Sequence, residues 1–198
     1  MFHYHYKMRK LKSREGILCD ILILFYREEL KKMKVIFLDI DGVLNSDEYF
    51  DKIKNLNIQG IESEVDVEKI KLLKKAINET GANVVLTSSW RYTRNAQYLK
   101  ELLLNYNIYT DSTPFIQNKR GLEIKQWLAD HSDVEDFIIL DDEVFDSYDE
   151  SLIKKLVKIS NSNGHSFGEG LLSKDINEII KRLGRKKEKD KINKEIER

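Results

Sequence analysis

Asp39 and Asp41 stand one residue apart at the end of the run Val35-Ile36-Phe37-Leu38-Asp39-Ile40-Asp41-Gly42-Val43-Leu44-Asn45. Four apolar residues, β-branched and aromatic among them, lead into two carboxylates and a glycine. Such a run reads as a buried strand passing into a loop. Asp39 then lies at the strand's carboxyl end, with Asp41 turned back beside it because strand side chains repeat every second residue. Two carboxylates held together repel unless a cation or a shared proton relieves them. The pattern suits a magnesium-dependent site in which one aspartate attacks and the other handles a proton. Gly42 permits a tight turn and lets backbone N–H groups approach a phosphate closely.

Two more stretches close in the same way. Val84-Val85-Leu86-Thr87-Ser88-Ser89-Trp90-Arg91 ends an apolar run in hydroxyls, and Ile138-Ile139-Leu140-Asp141-Asp142 ends one in a second acidic pair. Residues 35–38, 83–86 and 137–140 read as buried strands, with 108–109 and 156–159 as a short and an edge strand. Val67, Ile70, Leu73, Ala76 and Ile77 recur at helical spacing before a Gly81 cap, and Leu99, Leu102, Leu103 and Tyr106 mark a second helix. Leu122, Ile124, Trp127 and Leu128 mark a third, ending near Asp130, and Ile176, Ile179, Ile180 and Leu183 a last one. Thr113-Pro114 reads as a turn. Residues 46–66 show no clear period and read as a flap or small insertion over the site. Strands alternating with such helices build βαβ units, hence a parallel sheet with helices on both faces. Ligands bind such sheets beyond the carboxyl ends of strands, where the strand order switches. Asp39, Thr87/Ser88 and Asp141/Asp142 all fall there.

The 198 residues fit one domain with extensions. Thirty-four basic residues balance 34 acidic ones, so no global field announces a nucleic-acid or membrane partner, and nucleic-acid contact requires a local basic patch. The single Cys19 excludes an intramolecular disulfide and fits a reducing compartment. No apolar run approaches the ~20 residues that span a bilayer. The expectation is a soluble, cytoplasmic chain with no membrane association and no obligate protein partner. Residues 1–32 place basic residues ahead of an apolar run, in the order of a signal peptide. Asp20 interrupts that run, and no small-residue cleavage site follows. They read as an N-terminal extension, with Met33 as an alternative natural start. Residues 33–184 form the domain and 185–198 a charged tail. His3, His5, His131 and His165 show no metal-ligand spacing, and His165 reads as an ordinary loop residue.

The DxDGV pattern after a hydrophobic strand resembles motif I of the haloacid dehalogenase (HAD) superfamily, mostly phosphatases working through an aspartyl-phosphate. With the hydroxyl string, the acidic pair and Arg120-Gly121-Leu122-Glu123-Ile124, the chain is similar to the small HAD domains of Swiss army knife RNA-repair proteins, over roughly Met33 to Leu183. The resemblance implies an α/β fold of HAD-like Rossmannoid type, three layers around a central parallel sheet. The interval after motif I, about twenty residues, is too short for a large α/β cap, so the domain is capless or minimally capped.

The resemblance also implies roles. Asp39 is the nucleophile, splitting one hard displacement into two easier ones. Asp41 is the general acid and base. Thr87 and Ser88 end the second strand where the family places a hydroxyl for the phosphoryl group. Alternation lets one of them face the site, and Ser88 is favoured. The motif III cation, usually lysine, is Arg120, with Lys119 and then Lys125 as alternatives. Asp141 and Asp142 match the acidic motif IV and hold Mg2+ with Asp39 and the backbone carbonyl of Asp41. Gly42, Thr87, Arg91 and Lys119 are expected at the substrate, Arg91 and Arg94 as exposed phosphate contacts. Trp90 reads as core packing, and Glu143 and Asp146 as flanking or surface groups. The reading is a magnesium-dependent phosphatase acting on a phosphomonoester, with a phosphorylated nucleic-acid end as the implied substrate. The alternatives are a small-metabolite or nucleotide phosphatase and a catalytically idle HAD-like binding module.

Overall fold

The computed structural model describes residues 32–58, 60–93, 96–161 and 167–184. The expectations for residues 1–31, for Arg94 and His165 and for the tail at 185–198 lie outside the described residues. The chain divides into two units at Lys32/Met33, and the fold below is that of the second.

Five parallel strands form the sheet: β1 (Met33–Leu38), β2 (Asn83–Leu86), β3 (Thr110–Ser112), β4 (Val134–Asp141) and β5 (Leu156–Lys158). Their spatial order is β3-β2-β1-β4-β5. The chain steps outward from β1 to β3, then crosses back to place β4 on the other side of β1. The strand order therefore switches beside β1, where a doubly wound sheet opens its ligand crevice.

Alternation along β1 builds two cores at once. Ile36 and Leu38 face α2 (Val67–Thr80), α3 (Ala96–Asn105) and α6 (Ser173–Leu183), whose Leu73, Leu103 and Ile179 are fully buried. Val35 and Phe37 face α4 (Arg120–Asp130) and α5 (Glu150–Ile153) through Ile124, Trp127 and Leu152. A strand covered on both faces has to be apolar at every position, which is why these strands read as unbroken apolar runs. Phe37 meets Trp127 and Phe137 edge-on, at centroid distances of 5.5 and 5.6 Å. Helix ends follow the capping signals: Asp66 Oδ1 accepts the Glu68 N–H at 2.9 Å, and Gly81 closes α2 in the left-handed region at φ 72°.

The three-layer parallel fold agrees with the sequence, with three local differences. Residues 46–66 hold α1 (Asp47–Ile53), capped by Ser46, and a 3-10 turn at Gly60–Ser63. The excursion is tied back where it leaves: the Asp66 N–H donates to the Leu44 carbonyl at 2.8 Å, and Asn45 Nδ2 to the Glu64 carbonyl at 3.0 Å. The third strand begins at Thr110 instead of Ile108. Asn107 takes φ 54°, and the Ile108 N–H is still bound to the Leu103 carbonyl at the end of α3. The short helix α5 carries too few residues to show a period.

Candidate active site

Strand register sets the site. Leu38 pairs with Leu86 on one side and Leu140 on the other, so the next residues, Asp39, Thr87 and Asp141, come level. Backbone bonds continue the ladder past the side chains: the Asp39 N–H donates to Leu140 at 3.0 Å and the Thr87 N–H to Leu38 at 2.9 Å. Asp39 and Thr87 open onto a cleft of about 390 Å³ that Asp41, Arg120 and Asp142 also line, with Asp141 buried behind them. Among the described residues, none of 46–66 lines the cleft, and the excursion expected over the site borders it through Phe50, whose ring meets that of the lining residue Phe167 at 6.4 Å. The excursion's ends are joined to each other, which holds it at the foot of the loop.

Asp39 and Asp141 are both buried, and Arg120 bridges them. Its Nη1 lies 3.2 Å from Asp39 Oδ2 and 2.5 Å from Asp141 Oδ2. The guanidinium stacks over the Phe145 ring, 4.3 Å from its centroid. Burial pulls the Arg120 pKa down, but the charges of Asp39 and Asp141 outweigh it and hold the group above its ordinary value. Asp141 Oδ2 also accepts from the buried Tyr148 hydroxyl at 3.2 Å, and Oδ1 from the Glu143 N–H at 3.1 Å. Burial and the neighbouring Asp39 charge raise the Asp141 carboxyl to about 7, against the opposing pull of Arg120. Burial likewise raises Asp39, opposed by Arg120 and by the adjacent Ser88 hydroxyl. Asp39 Oδ1 is buried with no hydrogen-bond partner.

Asp142 completes an acidic cluster, oxygens of Asp39, Asp141 and Asp142 lying within 4.8 Å of one another. Burial raises the Asp142 carboxyl, against the hydrogen bond its Oδ2 accepts from the Gly168 N–H at 2.6 Å. Among the described residues, Arg120 pairs with two of these three carboxylates, and the buried Oδ1 of Asp39 takes no donor. Hard oxygen donors carrying surplus negative charge fit a divalent ion such as magnesium. Gly42, at φ 69°, lets the loop close here, since a Cβ on it would lie 2.1 Å from Asp142 Oδ2.

Asp41 lines the cleft but is not one of that cluster. Its Oδ1 accepts from Asn45 Nδ2 and its Oδ2 from Trp90 Nε1, each at 2.9 Å. Of the two hydroxyls, Thr87 Oγ1 is buried without a partner and Thr87 lines the cleft, whereas Ser88 Oγ accepts the Trp90 N–H at 3.4 Å. Thr87 Oγ1 thus has free hydrogen-bonding capacity at the cleft, while the Ser88 hydroxyl, expected to face the site, lies beside Asp39. Arg91 lines the cleft but is not an exposed contact. Its side chain is 4% exposed and pairs with Glu123 Oε2, while Nη1 holds the carbonyls of Thr87 and Ser88. Lys119 is exposed beside the cleft in a depression it shares with Asn118, Leu122 and Phe145, and Lys125 pairs with Asp149. Neither lines the cleft. Sequence reasoning missed the parts played by Asn45, Tyr148, Glu123 and the Trp90 indole. Their partners lie on other elements or, for Asn45, one turn away in a loop without period.

A family model described as the HAD domain in Swiss Army Knife RNA repair proteins matches residues 35–166, about two thirds of the chain. No curated protein and no solved structure matches the chain. Among the described residues, no helix is long and apolar enough to cross a membrane.

Proposed function

Since the chain belongs to the family of HAD domains found in Swiss Army Knife RNA repair proteins, we propose that it is a magnesium-dependent phosphatase whose substrate is a phosphorylated nucleic-acid end. Membership points to a HAD-type hydrolase of phosphoesters; the metal, the covalent intermediate and the substrate are our reading. One observation carries it: Asp39 Oδ1 and Thr87 Oγ1, an acceptor and a hydroxyl, are both buried and unpartnered on level strand ends. Buried polar atoms are rarely left unpaired, and the missing partners are those a phosphoryl group and its cation provide.

Asp39 attacks phosphorus, and the bond from phosphorus to the leaving oxygen breaks as the new P–O bond forms. Asp41 gives its proton to the leaving oxygen, then takes one from the water that attacks the aspartyl-phosphate. That second displacement breaks the P–O bond to Asp39 and frees inorganic phosphate. Thr87 donates its hydroxyl to a phosphoryl oxygen. Arg120 favours the ionised form of Asp39 against burial and aims it, an office arginine fills as well as lysine because it supplies fixed donors and permanent charge. Magnesium held by Asp39, Asp141 and Asp142 would neutralise charge on the attacking and phosphoryl oxygens.

Among the described residues, none of 46–66 lines the cleft, which supports access for a polymer end. The test compares phosphate release from a 3′-phosphorylated oligonucleotide and the matching mononucleotide at several salt concentrations. The oligonucleotide should show the higher kcat/KM, the gap narrowing as salt rises because backbone contacts release counterions. A strong preference for a sugar phosphate would move the assignment to a small-metabolite phosphatase. Asp39→Asn should lose turnover while remaining folded; unchanged release would end the aspartyl-phosphate reading.

A further inference from the structure

Asp41 is gripped from two directions. Asn45 belongs to the same loop, four residues on, and is fully buried. Besides donating to Asp41 it accepts the Gly42 N–H at 2.9 Å and reaches the Glu64 carbonyl. Asn45 thus fixes the loop on itself. Trp90 comes from the 3-10 turn Ser89–Tyr92 beyond β2, and its indole N–H is the link from that turn to Asp41 Oδ2. The turn is itself braced. Ser88 Oγ accepts the Trp90 N–H, the Thr93 N–H closes it on the Trp90 carbonyl at 3.0 Å, and the buried Arg91 ties it to Glu123 of α4. The ring packs partly against the core under α2 and α3.

We infer that Trp90 is a positioning residue for proton transfer: its indole N–H anchors the Asp41 carboxyl to the turn that follows Thr87. The inference rests on the phosphatase reading above. The acid and the phosphate-binding hydroxyl are then referred to one rigid segment, so the proton is delivered at a fixed place relative to the phosphoryl group. Without the indole donor, Asp41 keeps Asn45 but loses its tie across the site. Displacements near 1 Å can cost on the order of 100-fold in rate.

The penalty depends on the leaving group. An alkoxide needs its proton as the P–O bond breaks, whereas a nitrophenolate leaves readily without one. Trp90→Phe keeps the apolar body and removes the donor. Its loss of kcat on an alkyl phosphate should exceed its loss on p-nitrophenyl phosphate by ~10-fold or more, with KM little changed on either. A merely structural role would lower both rates alike, and that result overturns the inference. A second measurement does not depend on how that variant folds. The chain has two tryptophans, so the assigned indole N–H signal of Trp90 can be followed by NMR in the full chain. Asp41→Asn should shift it and leave that of Trp127 in place; an unmoved Trp90 signal also overturns the inference. If the wild type hydrolyses neither phosphate, the phosphatase reading falls and takes this one with it. An active wild type, an inert Asp39→Asn and a uniform Trp90→Phe defect would sink the positioning role alone.

Discussion

The Arg91–Glu123 pair offers a quantitative test of how the site is held together. The two side chains are 4% and 3% exposed, so solvent screens neither. Arg91 also gives Nη1 to the carbonyls of Thr87 and Ser88 and Nε to that of Thr113, while Glu123 Oε1 accepts the Ile116 N–H at 2.9 Å. The loops after β2 and β3 and the start of α4 therefore meet at one buried cation. Glu123→Gln keeps shape and an acceptor but strands that cation without a counter-charge. Removing one partner of a buried pair costs about 3–5 kcal/mol, and the retained amide puts this variant at the lower end. For a unit of this size each kcal/mol lowers Tm by roughly 2–4 °C, so a fall of about 10 °C is expected. Arg91→Met combined with Glu123→Leu removes both charges and should recover much of the loss, giving a coupling energy of several kcal/mol in a double-mutant cycle. Urea titration with unchanged m-values would show that the native state alone is affected. A cost below ~1 kcal/mol for Glu123→Gln, or a double variant no better than the sum of the singles, would refute the reasoning.

Phosphate release should stop in EDTA and return with magnesium but not with zinc, since the acidic cluster offers hard oxygen donors; full turnover in chelated buffer would contradict the metal assignment. Asp141 adds a pH signature in the metal-free protein. Its folded pKa of about 7 lies above the ordinary value of 3.8, so the folded state retains a proton that the unfolded state has released between those values. Stability should therefore fall as pH rises through that window, by at most ~4 kcal/mol at about 1.4 kcal/mol per unit. Chemical denaturation between pH 4 and 8 should show the slope without magnesium and a flatter profile with it; a flat metal-free profile would refute it. Gly42→Ala places a methyl group 2.1 Å from Asp142 Oδ2 at a left-handed backbone position. It should cost about 1–3 kcal/mol in strain and weaken magnesium binding, measured by calorimetry; an unchanged affinity would count against the loop's role.

The residues at the strand ends were legible because burial on both faces forces an unbroken apolar run, and the first polar residue after it marks the sheet's rim. Asp39, Thr87 and Asp141 announced themselves in this way. Arg120 was readable only through resemblance, since nothing in its own surroundings distinguishes it from Lys119 or Lys125. The struts were not readable. Arg91 looks like any basic residue of a surface turn until Glu123, 32 positions later, is folded under it. Trp90 reads as core because its ring does pack there, and the direction of one N–H bond has no signature in composition or period. The helix α1 escaped notice because its single buried residue, Ile53, gives no repeat to detect, although Ser46 with Asp47 and Glu48 behind it carried the capping signal.

The level ends of β1, β2 and β4 have a consequence for how this domain tolerates change. The spacing between Asp39 and Asp141 is a property of backbone pairing, fixed by five partners in unbroken register from Lys34/Asp136 to Leu38/Leu140. Deleting one residue between Asp136 and Leu140 would carry Asp141 about 3.3 Å along the strand and turn it to the opposite face. No point substitution repairs such a slip, because every later side chain inherits it. The connections at the far rim of the sheet carry no such constraint: there residues can be gained or lost while Asp39, Thr87 and Asp141 keep phase. Length variation should therefore be heritable at one end of this sheet and lethal to the site inside its strands.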